Sequence, residues 1–571
     1  MAKTVAHIVV DALEKAGAKR VYGIPGDTIN HFTDAVAKSD LRWISVRHEE
    51  AGAFAAGGES YMTGELSVCA GTCGPGSLHF VNGIYESHRN GAPVLLIASD
   101  VARTESGFNF PQEVDQKKIY EQHSHFCEYI SHPSQARRII TKAAQTALTK
   151  KGVAVVIVNG DMFTEKDDDA MDWQVYRPQP ICRPNDAEMA ELAKLVDAAG
   201  KVSVYAGIGA RDAREEIIAF CEKVKAPMVH TTRAKEFLEP DNPYNVGVNG
   251  ILGNQAGVEA LEDADLVITL GCDFAYTQFY PEAKKIAQID IDPTHLGRRS
   301  AIHCGFVGDA KTTMAALLPL VEAKSDERHL KAQLKQWDKD LQGYLDEGKE
   351  KDPSLIHPQF VANMLDKKAA DDAIFVSDAG TSMVWMLRHL KANGKRRFLN
   401  TLLHGTMASG MPQAMGAKLA YPDCQVIAMC GDGSLTMLMG DLLTLVQEDI
   451  ALKLVVFHND TFGFVEMEQR VEGLVDHFTT LKNPDFAKLA EACGFAGWRV
   501  ETADDLDQAM DAWLRHDGPA LLDVKVNQME LVMPPKIKAS QVAGTALFGV
   551  KAVLDGRTKE VVDLLRNNFL R

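Results

Sequence analysis

The chain has 571 residues, 46% of them hydrophobic and 24% charged, and a net charge of −17 at pH 7. This length exceeds what one hydrophobic core usually supports, so about three domains are expected. The acidic balance, with no basic stripe interleaved with aromatic residues, argues against a nucleic-acid partner. The ten cysteines include no CxxC pair, which predicts buried thiols and no disulfide framework. Without a secretory pattern or a membrane-spanning apolar run, the cytoplasm is the expected compartment.

Short apolar runs, glycine-rich turns and helices alternate along the chain, as in PVLLIAS, VAVVIVNGD, KVSVYAGIGA, ADLVITLGCDF and QVIAMCGDG. Continuous apolar strands that alternate with helices are typical of parallel sheets covered on both faces. Two polar stretches, Phe163 to Asp186 and Lys324 to Pro358, interrupt the pattern and suit linkers. We therefore expect an α/β protein of three doubly wound parallel-sheet domains at 1–182, 183–334 and 335–530, followed by a helical tail at 531–571.

The stretch from Gln425 to Phe464 reads as strand, Gly-Asp-Gly turn, helix and second strand. A right-handed unit of this kind brings Asp432 and Asn459 together at neighbouring strand ends. Their carboxylate and amide oxygens suit Mg²⁺, and the helix N-terminus after Ser434 offers N–H groups to a diphosphate. A bare Gly-Asp-Gly is usually only a turn, but the matching register of strands, helix and asparagine favours a cation site.

This arrangement resembles the signature of thiamin-diphosphate enzymes. The segments RHEEAGAFAAGGES, GTCGPGSLHFVNGIYESHRN and HGTMASGMPQAMGA resemble the branch that contains pyruvate oxidases and acetolactate synthases. Within that branch the similarity is closest to the bacterial quinone-dependent pyruvate dehydrogenases, through SDAGTSMVWMLRHLKANGKRR, GFVEME and DNPYNVG. The resemblance implies a pyrimidine-binding domain, a central FAD-binding domain and a diphosphate-binding domain. It also implies a homodimer or homotetramer whose active site is shared between subunits.

One glutamate is expected to start the chemistry. A carboxyl group at the cofactor's pyrimidine promotes the tautomer that removes a proton from the reactive carbon. The resemblance places this group at Glu49, which we expect at a strand end, and Glu50 is the residue with which it could be confused. Judged from the residues alone, two successive glutamates equally suit a solvated helix start. Met407 is expected to support the bent cofactor, although a methionine in an apolar helix is otherwise core filler.

The resemblance also assigns the remaining contacts near the thiamin. Phe464 and Glu468 join Glu49 as catalytic residues; Glu468 stands where acetolactate synthases carry tryptophan, which favours the oxidase side. Ala379 and Val465 are expected to line the substrate pocket. The metal ligands would be Asp432, Asn459 and Thr461. The thiamin diphosphate contacts would be Gly405, Thr406, Met407, Asp432, Gly433, Ser434, Asn459, Thr461, Phe462, Gly463, Phe464 and Val465.

The central domain bears on whether the protein carries a flavin. Its GIGARD turn lacks the full GxGxxG fingerprint and is a weak signal by itself. Asp290, at a strand end, could accept a ribose or ribityl hydroxyl, although glycine-rich strand ends are also simply tight turns. The resemblance marks these FAD-contacting residues: Asn249, Gly250, Ile251, Leu252, Cys272, Asp273, Phe274, Ala275, Tyr276 and Asp290.

Three positions depart from the pattern of the relatives and leave the substrate open among pyruvate and other small 2-oxo acids. Pro111 replaces an aromatic residue near the site, Ala379 replaces a valine of the substrate pocket, and Asp100 replaces a histidine. A smaller side chain at position 379 would leave more room beside the bound acid.

The C-terminal tail has an amphipathic pattern, with Val561, Leu564, Leu565 and Phe569 on one helical face. Most such tails dock on their own protein. The matching tail of the quinone-dependent enzymes meets the membrane, which implies a lipid-surface partner and peripheral association with the inner face of the cell membrane.

The expected function is oxidative decarboxylation of pyruvate to acetate and CO₂, with electrons passed through FAD to a membrane quinone. Two catalytic alternatives stay open: an acetolactate-synthase-type carboligase whose FAD has no redox role, and a pyruvate oxidase that uses oxygen and phosphate. A non-catalytic nucleotide-binding regulator is the third class.

Overall fold

The computed structural model describes residues 2–169, 171–282, 284–348, 354–530, 532, 535, 539–555 and 557–568. Three six-stranded sheets form the body, and every strand pair within them is parallel. The strands inside each sheet are buried along almost their whole length, because helices cover both faces, whereas several edge strands are partly exposed. The predicted α/β class with three doubly wound parallel-sheet domains is confirmed, whereas the exact domain boundaries stay predictions.

The first sheet has the strand order β3-β2-β4-β5-β7-β6, and a short antiparallel pair, β1 with β8, ties the N-terminus to it. The strands of this domain are β1 Lys3–Thr4, β2 Arg20–Gly23, β3 Arg42–Ser45, β4 Ser67–Gly71, β5 Val94–Asp100, β6 Phe126–Tyr129, β7 Val153–Asn159 and β8 Lys166–Asp167, of which β1 and β8 form a separate two-stranded sheet. Its helices are α1 Val5–Lys15, α2 Asn30–Ala37, α3 Glu49–Thr63, α4 Pro75–Leu78, α5 Val81–Asn90, α6 Gln116–Tyr120 and α7 Ala136–Lys150.

The central sheet has the order β11-β10-β9-β12-β13-β14, so its connections reverse direction between β9 and β12. In open α/β sheets, ligands bind at such a reversal, beyond the carboxyl ends of the strands. The strands are β9 Val202–Ala206, β10 Met228–His230, β11 Asn245–Val248, β12 Leu266–Leu270, β13 Lys285–Asp290 and β14 Cys304–Val307. The helices are α8 Asp186–Ala198, α9 Arg214–Val224, α10 Lys235–Leu238, α11 Gln255–Glu262 and α12 Ala310–Leu317.

The third sheet has the order β16-β15-β17-β18-β20-β19, which repeats the topology of the first. A long helix, α13 Arg328–Glu347, precedes it and lies within the second polar stretch of the sequence. The strands are β15 Ile374–Ser377, β16 Arg397–Leu399, β17 Val426–Gly431, β18 Lys453–His458, β19 Ala496–Val500 and β20 Ala520–Lys525. The helices are α14 Pro358–Lys368, α15 Thr381–His389, α16 Gly410–Ala420, α17 Asp432–Met437, α18 Leu442–Gln447, α19 Gly463–Val471, α20 Phe486–Cys493 and α21 Ala503–Arg515.

Helices α3 and α16 join the first and third domains. Both are rich in alanine and glycine, and the two backbones approach closely: a Cβ on Gly416 would lie 1.9 Å from the Ala55 carbonyl oxygen, and one on Gly58 would lie 2.2 Å from that of Gln413. Only glycine fits at these two positions. The helix starts are therefore held together, and these starts adjoin the predicted site.

The tail forms two helices, α22 Ala539–Leu554 and α23 Thr558–Asn568, which confirms the helical tail. Leu564 packs inward with Phe548 and Ala552, and Val561 lies against them, whereas Leu565 is exposed. Phe569, the fourth residue of the predicted apolar face, lies outside the described residues. Within the part of the chain that the structure describes, no helix has the length and apolarity needed to cross a membrane.

Candidate functional site

Asp432 begins α17 where β17 ends, beside the point at which the third sheet reverses direction. It is only 2% exposed. Its carboxylate accepts hydrogen bonds from the backbone N–H groups of Gly433, Asn459 and Asp460 at 2.8, 3.1 and 2.7 Å, and from Asn483 Nδ2 at 2.9 Å. Burial raises the pKa of Asp432. A bound divalent cation would favour the ionised carboxylate in this setting.

The turn after β18 supplies the other predicted metal ligands. Asn459 lies next to Asp432, as the strand–helix–strand unit predicts, and its amide oxygen accepts the Thr461 N–H at 3.2 Å. Thr461 donates its hydroxyl to the buried Glu466. One carboxylate, one amide oxygen and the backbone carbonyls of a tight turn are the hard oxygen donors that Mg²⁺ prefers, so these residues fit the implied ion.

A chain of charged groups lies beside this turn and supports it. His458 bonds Asp523 through Nδ1 at 2.8 Å and Asp460 through Nε2 at 2.7 Å. Burial opposes a charge on His458, but the two carboxylates raise its pKa. Lys525 bonds the second oxygen of Asp460, and Arg499 bonds Asp523 at 2.9 Å. Each buried charge thus has an opposite partner, which fixes the turn that carries Asn459.

The predicted cofactor segment Gly405–Met407 is a loop that precedes α16, so Met407 is not a methionine of an apolar helix. Gly405 has φ of 72°. Two acceptors at the carboxyl ends of neighbouring strands hold the start of α16: Ser434 Oγ accepts from the Ala408 N–H at 2.8 Å, and Asp378 Oδ1 accepts from the Gly410 N–H at 2.7 Å. Burial raises the pKa of Asp378 to about 6.

Glu49 is the first residue of α3, four residues beyond the end of β3, so the expectation of a strand end is corrected. The residue is nevertheless 6% exposed, unlike a solvated helix start. Its Oε2 lies 2.8 Å from Nδ1 of His79, and the His79 ring stacks on that of His48 with centroids 4.6 Å apart. His48 also caps the helix by accepting the Glu50 N–H at 3.2 Å.

Asn82 links the glutamate segment to the Gly405–Met407 loop. Its amide nitrogen donates to Glu50 Oε1 at 2.6 Å and to Thr406 Oγ1 at 3.0 Å, and its amide oxygen lies 2.8 Å from His404 Nε2. The glutamate segment and the Gly405–Met407 loop therefore meet within one chain. Glu49 and Glu50 have different surroundings: Glu50 accepts a hydrogen bond from Asn82, whereas Glu49 faces His79.

The predicted substrate residues lie around the same sheet edge. Ala379 is half-buried in the turn between β15 and α15, directly after Asp378. Val465 is exposed on the first turn of α19, and Phe464 beside it packs against the core of the third domain. Glu468 lies one turn further along α19, where partial desolvation raises its pKa.

The predicted flavin residues cluster at the carboxyl edge of the central sheet. Gly250 has φ of 110°, and a Cβ there would lie 2.5 Å from the Phe274 ring, so the turn requires glycine. Asn249 is buried; its Nδ2 donates to the Phe279 carbonyl at 3.0 Å, and its Oδ1 has no hydrogen-bond partner among the described residues. At the reversal between β9 and β12, a Cβ on Gly207 would lie 2.2 Å from the Gly271 carbonyl oxygen.

Charged groups complete this edge. Asp273 pairs with Arg298 and Arg299, the latter through two contacts of 2.7 and 3.0 Å. Asp290 is buried at the end of β13, 3.3 Å from His295 Nδ1. Cys272 is buried, whereas Ala275 and Tyr276 are exposed. An amide oxygen that has no partner among the described residues, a buried strand-end carboxylate and close glycine turns fit a dinucleotide such as FAD.

Four residues of the site were not predicted from the sequence: His79, Asn82, Asp378 and Asn483. His79 and Asn82 lie in a segment that resembles the family, but neither has a local pattern that assigns it a role. Asp378 directly precedes Ala379, so an acidic residue at a strand end was the available signal. Asn483 lies in an irregular stretch and carries no local pattern.

Comparison with known proteins agrees with this geometry. The chain matches the N-terminal TPP binding domain, the central domain and the C-terminal TPP binding domain of thiamine pyrophosphate enzymes at residues 3–119, 189–317 and 378–524. A putative thiamine pyrophosphate-containing protein of Bacillus subtilis is 34% identical over 99% of each chain. Pyruvate oxidase of Lactiplantibacillus plantarum is 30% identical over 94% of this chain and 91% of its own length.

The acetolactate synthase large subunit of Corynebacterium glutamicum is also 30% identical, over 93% of this chain and 88% of its own. The matches confirm the predicted cofactor set of thiamin diphosphate, Mg²⁺ and FAD. With all three domain types present in order and relatives aligned along nearly its whole length, the chain belongs to the thiamine pyrophosphate enzymes.

Proposed function

We propose that this protein oxidatively decarboxylates pyruvate, or a closely related 2-oxo acid, to acetate and CO₂ and passes the electrons through FAD to a membrane quinone. The balanced reaction is pyruvate, water and quinone to acetate, CO₂ and quinol. When bound, thiamin diphosphate supplies the carbon nucleophile that adds to the oxo acid, and FAD accepts two electrons.

The observation that carries the oxidase proposal is the docking of the flavin-side loop on the thiamin-side domain. Arg388 of α15 donates to the carbonyl oxygens of Ile251 and Leu252 at 3.4 and 3.3 Å. Leu252 and Phe464 pack against the same apolar core of the third domain. Electron transfer needs the two cofactors close together, and this loop brings the central domain to the domain that holds the diphosphate.

Each residue then has a role that agrees with its surroundings. Asp432, Asn459 and Thr461 would hold Mg²⁺, which would anchor the diphosphate. Glu49, buried against His79, would exchange a proton with the pyrimidine of the bound cofactor. Ala379 and Val465 border the space for the acyl group.

The deciding experiment is anaerobic addition of pyruvate to the purified flavoprotein. Bleaching of the flavin absorbance, with recovery on adding a quinone, supports the proposal. An unchanged flavin spectrum accompanied by acetolactate formation would show a carboligase instead. Bleaching that oxygen reverses and quinone does not, with acetyl phosphate formed from added phosphate, would identify a pyruvate oxidase.

The carboligase is the second candidate, because acetolactate synthases are as similar to the chain as pyruvate oxidase is. Glu468 favours oxidation over ligation, since acetolactate synthases carry tryptophan at the matching place. Each alternative uses the same metal site and the same proton relay, so only the fate of the electrons separates them.

We further propose that the tail contacts the lipid surface and that the protein is a homodimer or homotetramer on the inner face of the cell membrane. Support comes from α22, where Val542, Val550 and Leu554 are exposed although Phe548 is buried. A quinone dissolves in lipid, so its reductase must reach the bilayer. Sedimentation velocity with and without vesicles measures both the assembly and the association.

A further inference from the structure

Glu466 on α19 lies between the predicted metal turn and the C-terminal tail. It is 3% exposed, and its two carboxylate oxygens have different partners: one accepts the Thr461 hydroxyl, and the other pairs with Arg470 one helical turn away. A buried carboxylate needs such partners, because an unpaired charge in the interior is strongly destabilising. The side chain therefore couples the position of Thr461 to that of Arg470.

Arg470 is 4% exposed and continues the row of contacts toward the tail. Its guanidinium lies over the Phe548 ring of α22 at 5.3 Å, and its Nε lies 3.7 Å from Asp476 Oδ1. Arg557, at the start of the second tail helix, bonds both oxygens of Asp476 at 2.8 and 2.9 Å. Thr461 and Arg557 are thus linked through two carboxylates and one arginine.

The turn that follows α19 adds a second connection. The Phe462 N–H donates to the Thr479 carbonyl at 2.9 Å, and Thr461 pairs with Thr480 in an antiparallel bridge. At the other end of the turn, Lys551 of α22 donates to the Gly473 carbonyl at 2.7 Å. The metal turn is therefore held by a segment that itself holds the docked tail.

We propose that Glu466 and Arg470 are positioning residues for the metal turn, and that Arg557 strengthens the Glu466–Arg470 ion pair by neutralising Asp476. While Arg557 covers Asp476, Arg470 stays on Glu466, and Glu466 holds Thr461 in the metal-binding position. Without Arg557, the half-buried Asp476 carboxylate draws Arg470 away from Glu466, and Thr461 loses its support. This inference rests on the metal site of the proposed function.

The test measures Mg²⁺ affinity by calorimetry on the full-length protein at saturating thiamin diphosphate. Arg557→Ala should weaken Mg²⁺ binding about 3- to 30-fold, the range expected for coupling through one packed network. Lys559→Ala removes a charge from an exposed position of the same helix and should leave the affinity unchanged. Equal affinities of Arg557→Ala and the parent protein would overturn the inference.

A second substitution separates the competition from simple loss of docking. In Arg557→Ala with Asp476→Asn, the Asp476 carboxylate no longer competes with Glu466 for Arg470, so Mg²⁺ affinity should return to within about twofold of the parent. If the affinity does not return, tail docking supports the turn, and the competition between Asp476 and Glu466 for Arg470 does not. Because the pair of variants leaves Glu466 and Thr461 intact, this result does not depend on whether a Glu466 variant folds.

Two further variants show whether a negative result comes from a wrong metal site or from a wrong coupling. Glu466→Gln should weaken Mg²⁺ binding and abolish the response to Arg557→Ala, with thermal unfolding recorded to confirm a folded protein. Asp432→Ala should remove Mg²⁺ binding. If Asp432→Ala binds the ion normally, the metal-site assignment is wrong; if it loses the ion while Arg557→Ala and Glu466→Gln do not, only the coupling is wrong.

Discussion

Replacing Glu49 by glutamine tests the proton relay with a small change. The side chain is buried at the start of α3, and its carboxylate lies 2.8 Å from His79 Nδ1. Glutamine has nearly the same shape and can still hydrogen-bond the imidazole, so folding and cofactor binding should survive. The amide cannot exchange a proton with the pyrimidine.

The expected loss comes from the relay alone. A positioned acid–base group is typically worth about 10²- to 10⁴-fold in rate. At about 1.4 kcal/mol per factor of ten, this corresponds to about 3–6 kcal/mol of transition-state stabilisation. The decarboxylation rate of Glu49→Gln should fall by this factor, while the affinity for thiamin diphosphate changes by less than about tenfold.

The assay measures exchange of the cofactor's reactive hydrogen with D₂O by NMR, together with single-turnover decarboxylation. Glu50→Gln is the matched control, because its carboxylate bonds Asn82 and not His79. It should exchange within about tenfold of the parent. A slow Glu50→Gln beside a normal Glu49→Gln would refute the assignment and move the relay by one residue.

Asp432→Ala should release thiamin diphosphate but keep FAD. Gly250→Ala should release FAD but keep thiamin diphosphate, because the added Cβ would clash with the Phe274 ring. Absorption spectra and cofactor extraction measure both cofactors, and loss of both from either variant would contradict separate sites. Ala379→Val should shift preference from 2-oxobutanoate toward pyruvate by about 10- to 200-fold in kcat/KM; an unchanged ratio removes Ala379 from the pocket. Deleting 556–571 removes the exposed Val562 and Leu565 of α23. It should preserve dye-linked turnover at saturating cofactor and Mg²⁺ but reduce vesicle binding and quinone reduction; normal vesicle binding would show that α23 is only a docked helix and would leave the exposed residues of α22 as the lipid contact.

The strands and the metal turn could be predicted because their signals are local. Continuous apolar runs followed by glycine-rich turns identify strands buried on both faces. The chirality of a parallel strand–helix–strand unit then brings Asp432 and Asn459 together without knowledge of the remaining fold. The structure confirms this proximity through the Asn459 N–H, which donates to Asp432 Oδ2 at 3.1 Å.

The remaining features of the candidate site depend on contacts between segments that are distant in the sequence. Asn82 and Thr406 are 324 positions apart and meet only because α3 packs on α16. His79 reaches Glu49 through the turn before α5, which no periodicity reveals. The sequence places Glu49 at a strand end and not at a helix start because the N-cap of α3 is His48, a residue type that seldom caps helices.

The repeated topology of the first and third sheets explains how a strained cofactor loop can be held. Helices α3 and α16 follow corresponding strands of the two sheets, and their glycines let them form one rigid pair. Ala408, just before α16, has φ of 70°, a conformation that costs a non-glycine residue about 1–3 kcal/mol. Its methyl group packs in a buried cluster with Ala51, Phe54 and Leu438, and its N–H donates to Ser434. The strain is thus offset by contacts from both domains, so the loop that carries Met407 is fixed by the same helix pair that fixes Glu49.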